Sequence, residues 1–162
     1  MIEIIRPLED SIENFTIFLA GPIQGAHDWH ETAITYLSNY IYKPLCIAVP
    51  KTINKPKEWT YDKQVEWESK YLNKASQNGI ILFWLPIEFN KFDNRSYAQT
   101  TRFELAEWVT KQKFNNSINI VIGIEPGFHG EKYMRKRISE ENTNIVIYNN
   151  LIDLCGHIIN QI

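Results

Sequence analysis

The chain holds only two cysteines, Cys46 and Cys155, and they lack the spacing of metal ligands. Two isolated thiols in 162 residues rule out a disulfide framework, and a reduced, cytoplasmic protein is the simplest expectation. Basic runs are missing as well: 17 Lys and Arg stand against 19 Asp and Glu, for a net charge of −2. That balance leaves no electrostatic footprint for DNA or RNA. The N-terminus, Met1-Ile2-Glu3-Ile4-Ile5-Arg6, lacks the apolar core of a signal peptide. The longest apolar run, near Ile80 to Leu85, is far too short to span a bilayer. Repeats and low-complexity segments are absent. So is any Ser-His-Asp or Cys-His arrangement, and His27 and His30 are too isolated from other ligand types to hold a metal. No cofactor is expected.

What is present describes a folded enzyme-sized unit. Hydrophobic residues make up 44% and charged residues 22%, which favours one globular domain, residues 1–162, with a substantial core. Five Trp are more than such a core requires, and some are expected to line a flat pocket.

Apolar strand patterns alternate with helical ones. Strands are expected at Thr16 to Leu19, Cys46 to Val49, Gly79 to Trp84, Ile118 to Ile122 and Asn144 to Ile147. Helices are expected at Asp28 to Ser38, Asp62 to Ala75, Thr101 to Lys113, Gly130 to Ser139 and Leu151 to Ile159. This alternation predicts an α/β fold, a parallel sheet of about five strands with helices on both faces. Ile80-Ile81-Leu82-Phe83-Trp84 is continuously apolar, as a strand buried on both faces should be. Two long loops, Pro50 to Tyr61 and Pro86 to Ala98, follow strand ends on the face where such folds bind ligands.

Strand one runs into Ala20-Gly21-Pro22-Ile23-Gln24-Gly25. Its glycines let backbone approach a ligand closely, and they equally suit a plain tight turn. No Gly-Lys-Ser/Thr follows, so this is not a phosphate-binding Walker loop. Asp28 and Glu31 fit a helix cap.

Two carboxylates carry the chemistry. Glu104 falls in the first turn of its expected helix, just past a strand and a polar loop. Thr101-x-x-Glu104 fits a capping box, and the same placement suits a reacting carboxylate. Glu68 falls within an apolar stripe of Val65, Leu72 and Ala75, with Glu66, Ser69, Lys70 and Asn73 on the solvated side. An ionised group facing a core needs a partner, such as Arg102, or a function. Leu105, Ala106, Trp108 and Val109 define the buried arc of the Glu104 helix, and Glu107 with Lys111 reads as an exposed pair. Arg102, near the helix start, can hold an anion or be solvated. Two carboxylates, glycine-rich backbone and abundant aromatics suit glycosidic chemistry.

These residues also resemble a known family. Ile17-Phe18-Leu19-Ala20-Gly21-Pro22-Ile23, Gln64-Val65-x-Trp67-Glu68, Phe83-Trp84-Leu85-Pro86, Thr101-Arg102-Phe103-Glu104-Leu105 and Val121-Ile122-Gly123-x-x-Pro126-Gly127-Phe128 are similar, in order and spacing, to the nucleoside 2-deoxyribosyltransferase superfamily, in its deoxyribosyltransferase-like branch. The resemblance implies a flavodoxin-like, three-layer Rossmann-like fold and a role in nucleotide salvage. It implies transfer of 2′-deoxyribose between nucleobases through an ester on Glu104, with Glu68 binding and protonating the base. Nucleoside or nucleotide and nucleobase are then the substrates, and homo-oligomeric assembly is expected. Substrate contacts are assigned to Phe18, Gly21, Pro22, Ile23, Gln24, Trp67, Trp84, Thr101 and Arg102, with core packing the alternative duty of Phe18 and Trp84. The chain departs from the family pattern at Ala98 and Ser76, where relatives carry Asp, and at Phe18, where several carry Tyr. Hydrolysis of the N-glycosidic bond of deoxynucleosides or their 5′-monophosphates is therefore a close alternative, and a non-catalytic nucleotide-binding module is a third.

Overall fold

The computed structural model describes residues 1–142 and 144–162. Six parallel strands form one sheet: β1 (Ile2–Ile5), β2 (Thr16–Ala20), β3 (Leu45–Ala48), β4 (Gly79–Leu85), β5 (Ile120–Ile124) and β6 (Ile147–Tyr148). The described residues form five helices, α1 (Trp29–Tyr40), α2 (Tyr61–Gln77), α3 (Gln99–Phe114), α4 (Glu131–Glu141) and α5 (Leu151–Ile159); the first four each join successive strands from β2 onward, and α5 follows β6. The strand order is β1-β3-β2-β4-β5-β6. This is the flavodoxin-like, three-layer α/β arrangement with six strands instead of the expected five. The added one is β1, whose Ile2 and Ile4 lie beside Leu45 and Ile47 of β3. It lies at the sheet edge, where Ile4 remains exposed and only Ile5 is buried.

Side-chain alternation divides the core into two layers. Phe18, Ala20, Ile81 and Phe83 pack with α2, α3 and α4. Ile17, Leu19, Leu82 and Trp84 pack with α1 and α5. The two carboxylates therefore sit in the α2 and α3 layer. The buried residues of α2 are Trp67, Tyr71, Leu72 and Ala75, whereas Val65 is exposed. Leu72 and Ala75 hold their expected places in the core, and Trp67 and Tyr71 complete the buried face in place of Val65. Ala106, expected in the buried arc of α3, is exposed, and Glu107 pairs with Lys111 at 2.7 Å as expected.

The connection after β2 leads through α1 to β3, on one side. That after β4 leads through α3 to β5, on the other. The adjacent ends of β2 and β4 are thus a topological switch point, the place where open α/β sheets bind ligands. Among the described residues no helix is long and apolar enough to cross a membrane.

Candidate active site

α2 and α3 both begin at the carboxyl edge of the sheet, so residues in their first halves face the switch point. Glu68 lies in the first half of α2. Glu104 is the sixth residue of α3, in its second turn instead of its first. The difference comes from Ala98, which ends the preceding loop in the left-handed region (φ 56°) and starts α3 with no capping side chain. Thr101 is consequently inside the helix and buried, and the capping box does not form. Glu104 has no duty at the helix end.

Instead, its carboxyl feels the charge of Glu68. Burial, then the Glu68 charge, then the Glu107 charge push the Glu104 carboxyl up from 4.5 to about 7. Burial also raises Glu68, opposed by a hydrogen bond from Gln64. Both glutamates retain partial exposure, so a solute can reach them. A nearby like charge disfavours ionisation, and Glu104, the more strongly raised of the two, keeps its proton to the higher pH. Arg102 does not relieve this. Its guanidinium donates to the His129 carbonyl at 2.7 Å and lies 4.4 Å from the Phe128 ring centre, clasping α3 to the loop before α4. The proposed ion pair with Glu68 is absent.

Loops from both sides of the switch point meet above it. Phe89 and Asn90 donate backbone N–H groups to the Gly25 carbonyl at 2.8 and 3.0 Å, and the Phe89 ring lies 3.8 Å from that of His27. Tyr97 donates its hydroxyl to the Pro86 carbonyl at 2.9 Å. The long loop after β4 is thus folded onto the loop after β2.

The other assigned residues divide. Phe18 is buried beneath α2, with its ring 6.3 Å from Trp67, whose indole N–H is taken by the Glu9 carbonyl at 2.7 Å. Ile23 and Gln24 are exposed on the loop after β2, while Pro22 is buried and accepts the Trp29 indole N–H at 2.9 Å. Trp84 lies in the α1 and α5 layer, across the sheet from the carboxylates, and is core. Asp28 stands at the N-cap position of α1, but its carboxylate pairs with Lys51 instead of capping. Ser76 lies near the far end of α2 and donates to the Asn73 carbonyl at 2.8 Å, so that departure falls outside the site. Of two surface hollows, one at Gln112 and Glu141 and one at Leu8 and Trp67, neither contains Glu68 or Glu104.

Gly21 owes its place to packing. A Cβ there would collide with the Trp84 carbonyl oxygen and the Trp29 ring. Gly21→Ala should lower stability by about 1–3 kcal/mol, as overpacking does. Urea unfolding measures this, and an unchanged midpoint would show that the ring and strand move aside freely.

Gln64 is a functional-site residue that sequence reasoning misses. Its Nε2 donates to Glu68 Oε1 at 2.9 Å, and its Oε1 accepts the Trp59 indole N–H at 2.8 Å. The signal available in the sequence was the i, i+4 spacing of Gln64 and Glu68.

A sequence model of a family described as nucleoside 2-deoxyribosyltransferase like matches residues 14–120, more than half of the chain. The matched span contains Glu68 and Glu104. No individual curated protein matches the chain.

Proposed function

The chain belongs to the nucleoside 2-deoxyribosyltransferase-like family, and from that membership we propose that it transfers 2′-deoxyribose between nucleobases, with Glu104 as nucleophile and Glu68 as the acid and base that serves the nucleobase. The observation that carries this reading is the placement of two partly buried carboxyls in the first halves of α2 and α3, in the layer that both helices form beside the β2 and β4 switch point. A pair sharing one proton holds both reagents that glycosidic cleavage needs. In the free protein the proton rests on Glu104, the more strongly raised of the two. Reaction follows its passage to Glu68, after which ionised Glu104 attacks C1′ and Glu68 gives the proton to the departing base. A 2′-deoxy sugar develops positive charge at C1′ readily, so a carboxylate is a sufficient nucleophile. Return of the sugar to a second base reverses the steps. The substrates on this reading are a deoxynucleoside and a free base, and assembly into oligomers accompanies it as a family expectation.

Hydrolysis is a second reading, favoured by the apolar side chains of Ala98 and Phe18 at positions where relatives carry polar groups. With weaker hold on an incoming base, water intercepts the ester. One mixture separates the outcomes. Given deoxyinosine and adenine, a transferase forms deoxyadenosine and a hydrolase forms free deoxyribose. Binding with no turnover would leave a nucleotide-binding module.

The shared proton also sets a pH dependence. As pH rises through about 7 the pair loses its proton and with it the acid, so kcat/KM should fall on the alkaline side. At low pH both carboxyls are protonated and the nucleophile is lost. A bell-shaped profile is the expected result, and a rate that keeps rising well above pH 7 would exclude the shared proton as the acid.

A further inference from the structure

Gln64 engages every polar atom of its side chain. Oε1 accepts the Trp59 indole N–H at 2.8 Å, while Nε2 donates to Glu68 Oε1 at 2.9 Å and to the Pro50 carbonyl at 3.3 Å. An indole N–H can only donate and a peptide carbonyl can only accept, so the amide has a single orientation. Trp59 and Pro50 both belong to the loop between β3 and α2, which therefore holds the amide from outside while its N–H points at one carboxyl oxygen of Glu68. Trp59 is itself partly buried, with the Lys55 ammonium 3.6 Å above its ring.

We propose that Gln64, anchored by Trp59 and Pro50, is a positioning residue that occupies Oε1 of Glu68 and leaves Oε2 as the oxygen that exchanges a proton with the nucleobase. This rests on the reading of Glu68 as the acid. In the step it serves, the C1′–N bond breaks and its electron pair goes to the base nitrogen, which is protonated by the proton from Glu68 Oε2. A Glu104 oxygen forms the new bond to C1′, and Glu68 is left ionised. A hydrogen bond donated to a carboxylate favours its charged form, so Gln64 stabilises Glu68 in the state that follows proton transfer. The carboxyl of α3 that interacts electrostatically with Glu68 is Glu104, on which Glu107 also acts. Among the described residues no cation pairs with Glu68. The amide is therefore the one group that offsets its burial.

Gln64→Met keeps the length and helix preference of the side chain and removes both polar atoms. Trp59→Phe keeps a ring and removes only the anchor to Oε1. The Glu68 carboxyl carbon, followed by NMR in selectively labelled protein, should titrate at higher pH in Gln64→Met and move the same way, by less, in Trp59→Phe. For turnover, kcat should fall about 10-fold or more in Gln64→Met, within the range of general acid catalysis, with KM nearly unchanged. Far-ultraviolet circular dichroism confirms that each variant is folded. A Glu68 titration that stays put in both folded variants would overturn the positioning role whatever reaction the protein performs. A shifted titration in a protein that turns over no deoxynucleoside would instead support the positioning role and overturn the proposed reaction.

Discussion

Glu104→Gln should lower deoxyribosyl turnover by at least ~10³-fold while leaving nucleoside binding intact, the pattern of a lost covalent nucleophile. The substitution keeps shape and removes the attacking oxygen's charge. Nothing in α3 should suffer, because Glu104 caps no helix end and lies well past Ala98, where the helix starts. Binding, read by calorimetry with a deoxynucleoside, then separates chemistry from affinity. Glu68→Gln should behave differently. It removes the proton that the base needs, so its defect should be smaller for a nucleoside whose leaving group is already acidic, such as a nitrophenyl glycoside of deoxyribose. Glu104→Gln should show no such rescue. Near-normal turnover in Glu104→Gln would reduce residue 104 to a buried acid with no chemical part.

How much of this was legible in the sequence depended on whether a residue's local pattern and its tertiary role coincide. In α5 they do. Asn150 accepts from the Asp153 N–H at 2.8 Å, and Leu151, Leu154, Cys155 and Ile158 form the buried stripe, so the helix spans Leu151–Ile159 as the pattern predicts. In β4 they do as well, since both faces are covered and every residue after Gly79 is buried. At the start of α3 they do not. An alanine in the left-handed region leaves no capping signature, and Thr101, three residues on, imitates one. β1 is a short edge strand interrupted by Glu3, so it lacks the continuous apolar run that marks a strand covered on both faces. The assignment of Trp84 failed for a different reason. A strand's period places neighbours on opposite faces, and the sequence does not say which face holds the ligand. Phe83 and Trp84 are equally apolar, yet only Phe83 lies in the carboxylates' layer. The convergence of Glu68 with Glu104 lay between these cases. The apolar stripe singled out Glu68, but Glu104, the carboxyl whose proton affinity it raises, is 36 residues further along the chain.

The same convergence makes a stability prediction of sign opposite to the catalytic one. Glu104 has an ordinary value of 4.5 and is raised to about 7 in the folded protein. Below 4.5 it is protonated whether folded or unfolded, and it takes nothing from stability. Between 4.5 and about 7 the unfolded chain ionises while the folded one holds its proton, so stability falls as pH rises. Above about 7 both states are ionised, and the loss is complete and constant. At 1.4 kcal/mol per pKa unit the loss has a ceiling of about 3 kcal/mol, which the partial exposure of Glu104 lowers to roughly 2 kcal/mol. Glu104→Gln has no such charge and should therefore be the more stable protein by that amount at pH 8, with an advantage that fades to nothing below pH 4.5, in urea unfolding followed across the range. Glu68→Gln should also stabilise at pH 8, for it removes the other half of the repulsion. Since one repulsion cannot be relieved twice, the double variant should gain less than the sum of the single ones. Additive gains would mean that the two carboxyls do not influence each other. The shared proton, and with it the division of labour between nucleophile and acid, would then have to be abandoned even if Glu104→Gln proved inactive.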